Sequence, residues 1–283
     1  MRALKYSSLF LLTLFLTIIS AAYSYSQSPL LQAESMPLSL PALPSIPNPE
    51  LKISINIPEM KLKLFEKAVL VAEYPVAVGM PKYPTPIGNY AIERIEWNPW
   101  WLPPESDWAK DAEKTPPGPK NPLGPVKMIM EDALRIHGTN KPGSIGHAAS
   151  HACIRMKNEE AKTLAWYIQA RSSLKNDEKL LEKYSKNRGS TYYVALEHQI
   201  PVEFIYETIS VTKETIELLP DIYGKIKKLK DTIIEKVQVL NIDPSTLDPE
   251  KLSKLKKPYK DKLIVQMSDL VLNPLIPESA VSH

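Results

Sequence analysis

The sequence predicts a mainly β domain with short helices, followed by a helical C-terminal extension. Three observations carry that expectation. Short apolar/polar alternations recur from Leu51 to Ile95 and again from Tyr192 to Tyr206, punctuated by proline and glycine. Between them only Asn158–Ile168 and Leu174–Lys186 have helical character. Beyond Gly224 the apolar residues fall at helical spacing. A chain of 283 residues holds one well-packed domain with appendages, or two small ones.

Residues 1–26 stand apart. Arg2 and Lys5 precede the apolar run Leu9–Ile19, and Ala22-Tyr23-Ser24 supplies a cleavage pattern. This is the composition of an export signal, or of an uncleaved N-terminal anchor, because Tyr23 and Tyr25 mar the cleavage site. Either assigns the protein to the periplasm or cell envelope. Residues 27–50 carry prolines at 29, 37, 41, 44, 47 and 49, which makes them a stiff tether or an arm lying on the domain.

The catalytic domain is expected over 51–224 and the helical extension over 225–283. Leu51, Ile53, Ile55 and Ile57 open the strands; further strands are expected around Leu62–Phe65, Ala68–Val71, Tyr74–Gly79 and Tyr90–Ile95. Pro81–Gly88 reads as a rigid loop. From Trp97 to Pro125 the chain reads as one long loop holding Trp97, Trp100, Trp101 and Trp108, the composition of a groove wall. The charged stretch Arg171–Gln199 is either a helical flap beside the groove or surface decoration. Tyr192–Leu196 and Val202–Tyr206 are expected as closing strands, and Lys225–Val239, Pro249–Tyr259 and Ile264–Leu272 as helices.

Removing Arg2 and Lys5 with the leader takes the basic residues from 35 to 33, against 32 acidic ones. A balance so close to neutral gives no footing for a nucleic-acid partner. The single cysteine, Cys153, cannot form an intramolecular disulfide. A thiol is mostly protonated near neutrality and needs a base to become a nucleophile. His137, in Ile136-His137-Gly138, and His151, two residues before the thiol, are the candidates. The Gly138 carbonyl can take the other ring proton of His137 and set its tautomer. His137, His147, His151 and Cys153 do not match structural zinc spacings, and no metal or organic cofactor is expected.

Ile136-His137-Gly138-Thr139-Asn140, Ser144-Ile145-Gly146 and Ser150-His151-Ala152-Cys153-Ile154-Arg155-Met156 together resemble the signature of the YkuD family of L,D-transpeptidases. Thr85-Pro86-Ile87-Gly88 and Asn98-Pro99-Trp100-Trp101-Leu102-Pro103-Pro104 resemble upstream segments of its ErfK and YbiS members. Ile200-Pro201-Val202, Tyr206-Glu207-Thr208 and Asp221-Ile222-Tyr223-Gly224 are similar to the YcbB-like branch. The resemblance covers about residues 51–210.

It implies a β-sandwich or barrel-like catalytic domain in which Cys153 is the nucleophile and His137 its general base. Gly138 orients the imidazole, and His151 lines the acyl-transfer site. Ser150, Ala152 and Arg155 support the loop or meet substrate, with Tyr83, Trp100 and Trp101 as further substrate contacts. The implied substrate is a peptidoglycan tetrapeptide stem. Its acyl group passes through a thioester to another stem, giving a 3-3 cross-link, or to a wall-attached lipoprotein. Carbapenems are the implied covalent inhibitors. An L,D-carboxypeptidase or amide hydrolase using the same thiol, and an inactive wall-binding module, are the rival readings. One departure stands out: Ala152 occupies the family's usual glycine position, where a side chain is strained if φ is positive.

Overall fold

Leu51, Ile53 and Ile55 are all buried in strand β1 (Leu51–Asn56) while the residues between them are more exposed, as a sheet with one face on a core requires. The structure, a computed structural model, describes residues 47–131, 134–258 and 261–272. The leader, nearly all of the proline-rich arm and the last residues lie outside them. Strand β2 (Lys61–Glu66) adds Leu62 and Leu64 to the core, and β3 (Val69–Pro75) forms an edge. Next come β4 (Val78–Gly79), β5 (Gly88–Trp97), β6 (Val126–Ile129), β7 (Arg135–His137), β8 (Ala148–Ser150) and β9 (Ile154–Arg155).

Two helices follow, α1 (Asn158–Ser172) and α2 (Glu178–Lys186), and then β10 (Tyr192–Ile205). Eight strands build one curled mixed sheet in the order β3-β2-β1-β10-β5-β6-β7-β9, while β4 and β8 pair separately. β1 runs parallel to β10, and β7 parallel to β9. The two closing strands expected at 192–196 and 202–206 are one long strand. Its register against β5 slips between Ala195 and Ile200, which bends it.

Ala161, Leu164, Ala165 and Ile168 recur at i, i+3, i+4 and i+7, and α1 buries that stripe against the sheet. Each large aliphatic in it contributes about 2 kcal/mol on burial. Helix α2 begins four residues later than expected, at Glu178, because the Asp177 carboxylate caps it by accepting the Lys179 N–H at 2.9 Å. Tyr184 of α2 stacks on Trp97, with ring centroids 5.1 Å apart.

A second, smaller core gathers Ile209, Ile216, Ile233, Val237 and Met267. It is built from a sheet of β11 (Ile209–Val211), β12 (Thr215–Leu218) and β13 (Leu263–Gln266), with α3 (Leu229–Val239), α4 (Pro249–Lys254) and α5 (Met267–Leu270). The helix expected over Ile264–Leu272 is therefore strand β13 followed by one helical turn. Leu263-Ile264-Val265 pairs antiparallel with β12, and this tertiary pairing overrides a spacing that fits either period. Among the described residues no helix is long and apolar enough to cross a membrane.

Candidate active site

The shortest strands build the site. In the parallel pair β7–β9, Ile136 lies opposite Ile154 and His137 opposite Arg155. Both isoleucines are fully buried in the core. Side chains alternate across a strand, so Arg135, His137, Cys153 and Arg155 share the other face. That face opens on a cavity of ≈ 790 Å³ lined by all four, with Trp101, Trp108 and His151 among its walls. The backbone and guanidinium of Arg135 both hydrogen-bond the sulfur of Cys153.

His137 is 5% exposed, and its Nδ1 lies 2.5 Å from the Gly138 carbonyl oxygen. A carbonyl can only accept, so Nδ1 carries the proton and Nε2 keeps its lone pair. Burial pushes this imidazole down to about 3, helped by the positive charges of Arg155, Arg135 and Lys127. It is thus neutral near pH 7 and able to take a proton. Burial raises the Cys153 thiol, an effect opposed by the adjacent Arg135 and then Arg155. Thiol and imidazole are therefore both neutral near pH 7. Lys127 pairs with Glu96 at 2.9 Å. No Asp or Glu is among the described residues lining the cavity, whereas Lys127, Arg135, Lys141 and Arg155 are, so it favours an anionic ligand.

Gly138 is required by packing. A Cβ there would sit 2.5 Å from Asn158 Oδ1 and 2.9 Å from Pro125 Cδ. Asn158, which in sequence resembles a helix cap, instead accepts the Thr139 N–H at 2.8 Å and holds the chain just after His137. On the other side of the sulfur, the buried Ser150 hydroxyl donates to the Cys153 carbonyl at 2.5 Å, which makes it a brace for this loop. Ala152 has φ +75°, the positive φ that its replacement of glycine called into question. Its carbonyl accepts a hydrogen bond from Thr85 Oγ1 at 2.7 Å.

The loop from Asn98 to Pro125 is ordered by two asparagines. Asn98 N–H donates to the Pro125 carbonyl at 2.7 Å and closes the loop, while its side-chain amide donates to the Tyr184 carbonyl at the end of α2. Asn121 is 1% exposed and donates to the carbonyls of Pro99, Thr115 and Pro116. The loop so held lays Trp108 flat on His151. Tyr83 tilts against the same imidazole at 4.8 Å without itself lining the cavity. Trp100 and Trp101 do line it. No residue of the Arg171–Gln199 stretch is among the described lining residues; α2 supports the loop from behind instead.

Of the residues that the sequence singles out, Cys153, His137, His151, Ala152, Ser150 and Arg155 line this cavity, and Gly138 meets His137 through its carbonyl without lining it. Sequence reasoning missed Arg135 and Lys127. The signal for Arg135 was its position two residues before His137, on the same strand face.

The model of the YkuD L,D-transpeptidase catalytic domain matches residues 51–190. A Bacillus subtilis protein assigned as the L,D-transpeptidase YkuD is 30% identical over 162 residues, covering 53% of this chain and 85% of its own. A Bacillus licheniformis protein of the same assignment is 32% identical over 127 residues, 44% of this chain and 65% of that one. Escherichia coli YbiS, assigned as an L,D-transpeptidase, is 33% identical over 121 residues, 40% of each chain. This chain therefore spans less than two thirds of the length of the last two relatives. On the extent of the Bacillus subtilis match, the chain belongs to the YkuD family of L,D-transpeptidase catalytic domains.

Proposed function

We propose that the protein is a cysteine-dependent L,D-transpeptidase acting on peptidoglycan tetrapeptide stems in the cell envelope. The observation that carries this reading is the shared face of β7 and β9, with the thiol, a neutral imidazole and two guanidinium groups around one cavity. Cys153 Sγ attacks the carbonyl between the L-centre of the stem's third residue and its terminal D-alanine, while His137 Nε2 takes the thiol proton. The positive charge on the imidazole is shared with the Gly138 carbonyl through Nδ1–H. Charge on the attacked oxygen is met by loop amides, the N–H of Cys153 first among them. When the tetrahedral adduct collapses, the C–N bond breaks and the amine leaves with the proton held by His137. A thioester remains.

An amine then attacks the thioester, His137 takes its proton, and the thiol is released. The amine of a second stem gives a 3-3 cross-link, and a protein lysine gives a wall-attached protein. Arg135 and Arg155 supply positive charge suited to the carboxylates of the stem, which also fits a cavity without lining acids.

Incubating the protein with disaccharide-tetrapeptide, with and without an amine acceptor, tests this directly. Dimer formation is expected, and Cys153→Ala abolishes it. Tripeptide alone would make the protein a carboxypeptidase, and unchanged, retained substrate a binding module. Carbapenem is expected to add once to Cys153, read by intact mass.

A further inference from the structure

Outside the catalytic face, one partly buried chain of hydroxyl groups ends on the peptide that precedes the sulfur. The Tyr223 hydroxyl donates to the Gly79 carbonyl at 2.7 Å and accepts the Thr85 N–H at 3.0 Å. Thr85 is 2% exposed; its Oγ1 accepts the Gly79 N–H at 2.9 Å and donates to the Ala152 carbonyl at 2.7 Å. One phenol thereby locks a strand end and a loop, and the locked loop grips the carbonyl of a residue with φ +75°.

The 152–153 peptide is trans, as are all those described, so its carbonyl and its N–H point in opposite directions. Because Thr85 holds the Ala152 carbonyl, the Cys153 N–H faces away from Thr85. Ser150 fixes the next carbonyl at 2.5 Å. The backbone on both sides of the nucleophile is pinned by hydroxyl groups.

Tyr223 is itself anchored from the C-terminal side. Its N–H donates to the Tyr206 hydroxyl at 2.7 Å, and Tyr206 donates to Asp221 Oδ1 at 2.9 Å. The Asp221 side chain, 4% exposed, also accepts from Lys257 Nζ, which follows α4. Rings of Tyr206 and Tyr223 stack 5.4 Å apart.

We infer that Tyr223 is a positioning residue for acyl transfer: through Thr85 and the Ala152 carbonyl it aims the Cys153 N–H at the oxygen of the attacked carbonyl. This rests on Cys153 being the nucleophile. The relay acts on the oxyanion donor, not on the sulfur, so it separates two reactions of one thiol. Alkylation by iodoacetamide develops no oxyanion, whereas acylation does.

The experiment measures, for Tyr223→Phe, Thr85→Val and Thr85→Ser, kcat and KM with tetrapeptide donor and the rate of Cys153 alkylation by iodoacetamide. Removing an oxyanion donor outright costs about 10²-fold or more, so misaiming one through Tyr223→Phe is expected to lower kcat about 10-fold. KM and the alkylation rate stay within about twofold, as expected of an interaction made only in the transition state. Thr85→Val falls further in kcat, and Thr85→Ser, which keeps the hydroxyl, recovers to within about threefold of wild type. Wild-type kcat in Tyr223→Phe would overturn the relay, and so would a parallel fall in alkylation. Should Tyr223→Phe not fold, equal kcat in Thr85→Val and Thr85→Ser overturns it instead. Turnover surviving in Cys153→Ala would sink the nucleophile and the relay together; an inactive Cys153→Ala beside an unaffected Tyr223→Phe sinks the relay alone.

Discussion

Trp108 lies flat on His151, with ring centroids 3.9 Å apart and planes 10° from parallel, so the long tryptophan-rich loop touches the Ser150–Cys153 loop through an aromatic contact. Trp108 is still 38% exposed and forms part of the cavity wall. An aromatic contact of this kind is worth about 1 kcal/mol, so Trp108→Ala is expected to raise the KM for tetrapeptide donor about fivefold. Its kcat stays within about threefold, because no reacting atom is lost. Steady-state kinetics on the purified variant check this; a loss confined to kcat would instead give the indole a role in the chemical step.

Acid should destabilise the fold through His137. The folded imidazole takes a proton only near 3, whereas an unfolded one does so near 6.5, so the unfolded state binds more protons between those values. Stability is therefore intact above about pH 6.5 and falls through this window by up to about 1.4 kcal/mol per unit. The positive charges of Arg155 on β9, Arg135 on β7 and Lys127 on β6 face this imidazole and oppose its protonation. His137→Gln removes most of the slope; the His151 imidazole, also lowered by burial, leaves a smaller one. Urea midpoints at pH 7 and pH 5 decide it, and equal slopes in both proteins would place the acid sensitivity elsewhere.

Alkylation of Cys153 should report a thiol that rests protonated. With the thiol raised and the imidazole lowered, the iodoacetamide rate is expected to climb with pH through the alkaline range. A plateau extending to pH 5 would mean a thiolate–imidazolium ion pair, contrary to the burial of His137.

Ala152→Gly should stabilise the protein. A left-handed φ costs alanine about 1 kcal/mol relative to glycine. The melting temperature is expected to rise by about 2–4 °C with turnover retained. A lower melting temperature would mean that the chain gains more from the alanine methyl than it loses in backbone strain.

Asn121→Ala should loosen the wall without unfolding the sheet. The substitution strands the carbonyls of Pro99 and Pro116 and the Leu123 N–H, while the Thr115 carbonyl keeps the Trp101 N–H. Losses of this kind cost about 1–3 kcal/mol per unsatisfied group, concentrated in one surface segment. Trypsin is expected to cut at Lys110, Lys114 or Lys120 about tenfold faster in the variant. Unchanged cleavage would mean that the prolines alone hold the loop.

Legibility followed element length. β1 and α1 were readable because their apolar residues repeat over a full six or fifteen positions. The β7–β9 pair was not, because three- and two-residue strands carry no periodicity, and their parallel register is a tertiary fact. Cys153 and His137 stood out as chemistry, yet Arg135 did not, since its meaning depends on that register. Asn158 opens α1, yet its side chain holds Thr139, a contact that only the tertiary fold brings within reach. β13 was misread because Ile264–Leu272 fits both periods, and its partner β12 lies far away in sequence.

The parallel pairing of β1 with β10 has a consequence for how the chain acquires its shape. β1 is held on one side by its hairpin neighbour β2 and on the other by residues Val202–Ile205. A ribosome delivering the polypeptide from its amino end releases Leu51–Asn56 long before that second neighbour exists. The centre of the sheet cannot close until the chain has been made past Phe204, and any product ending earlier leaves the middle strand with one flank unzipped.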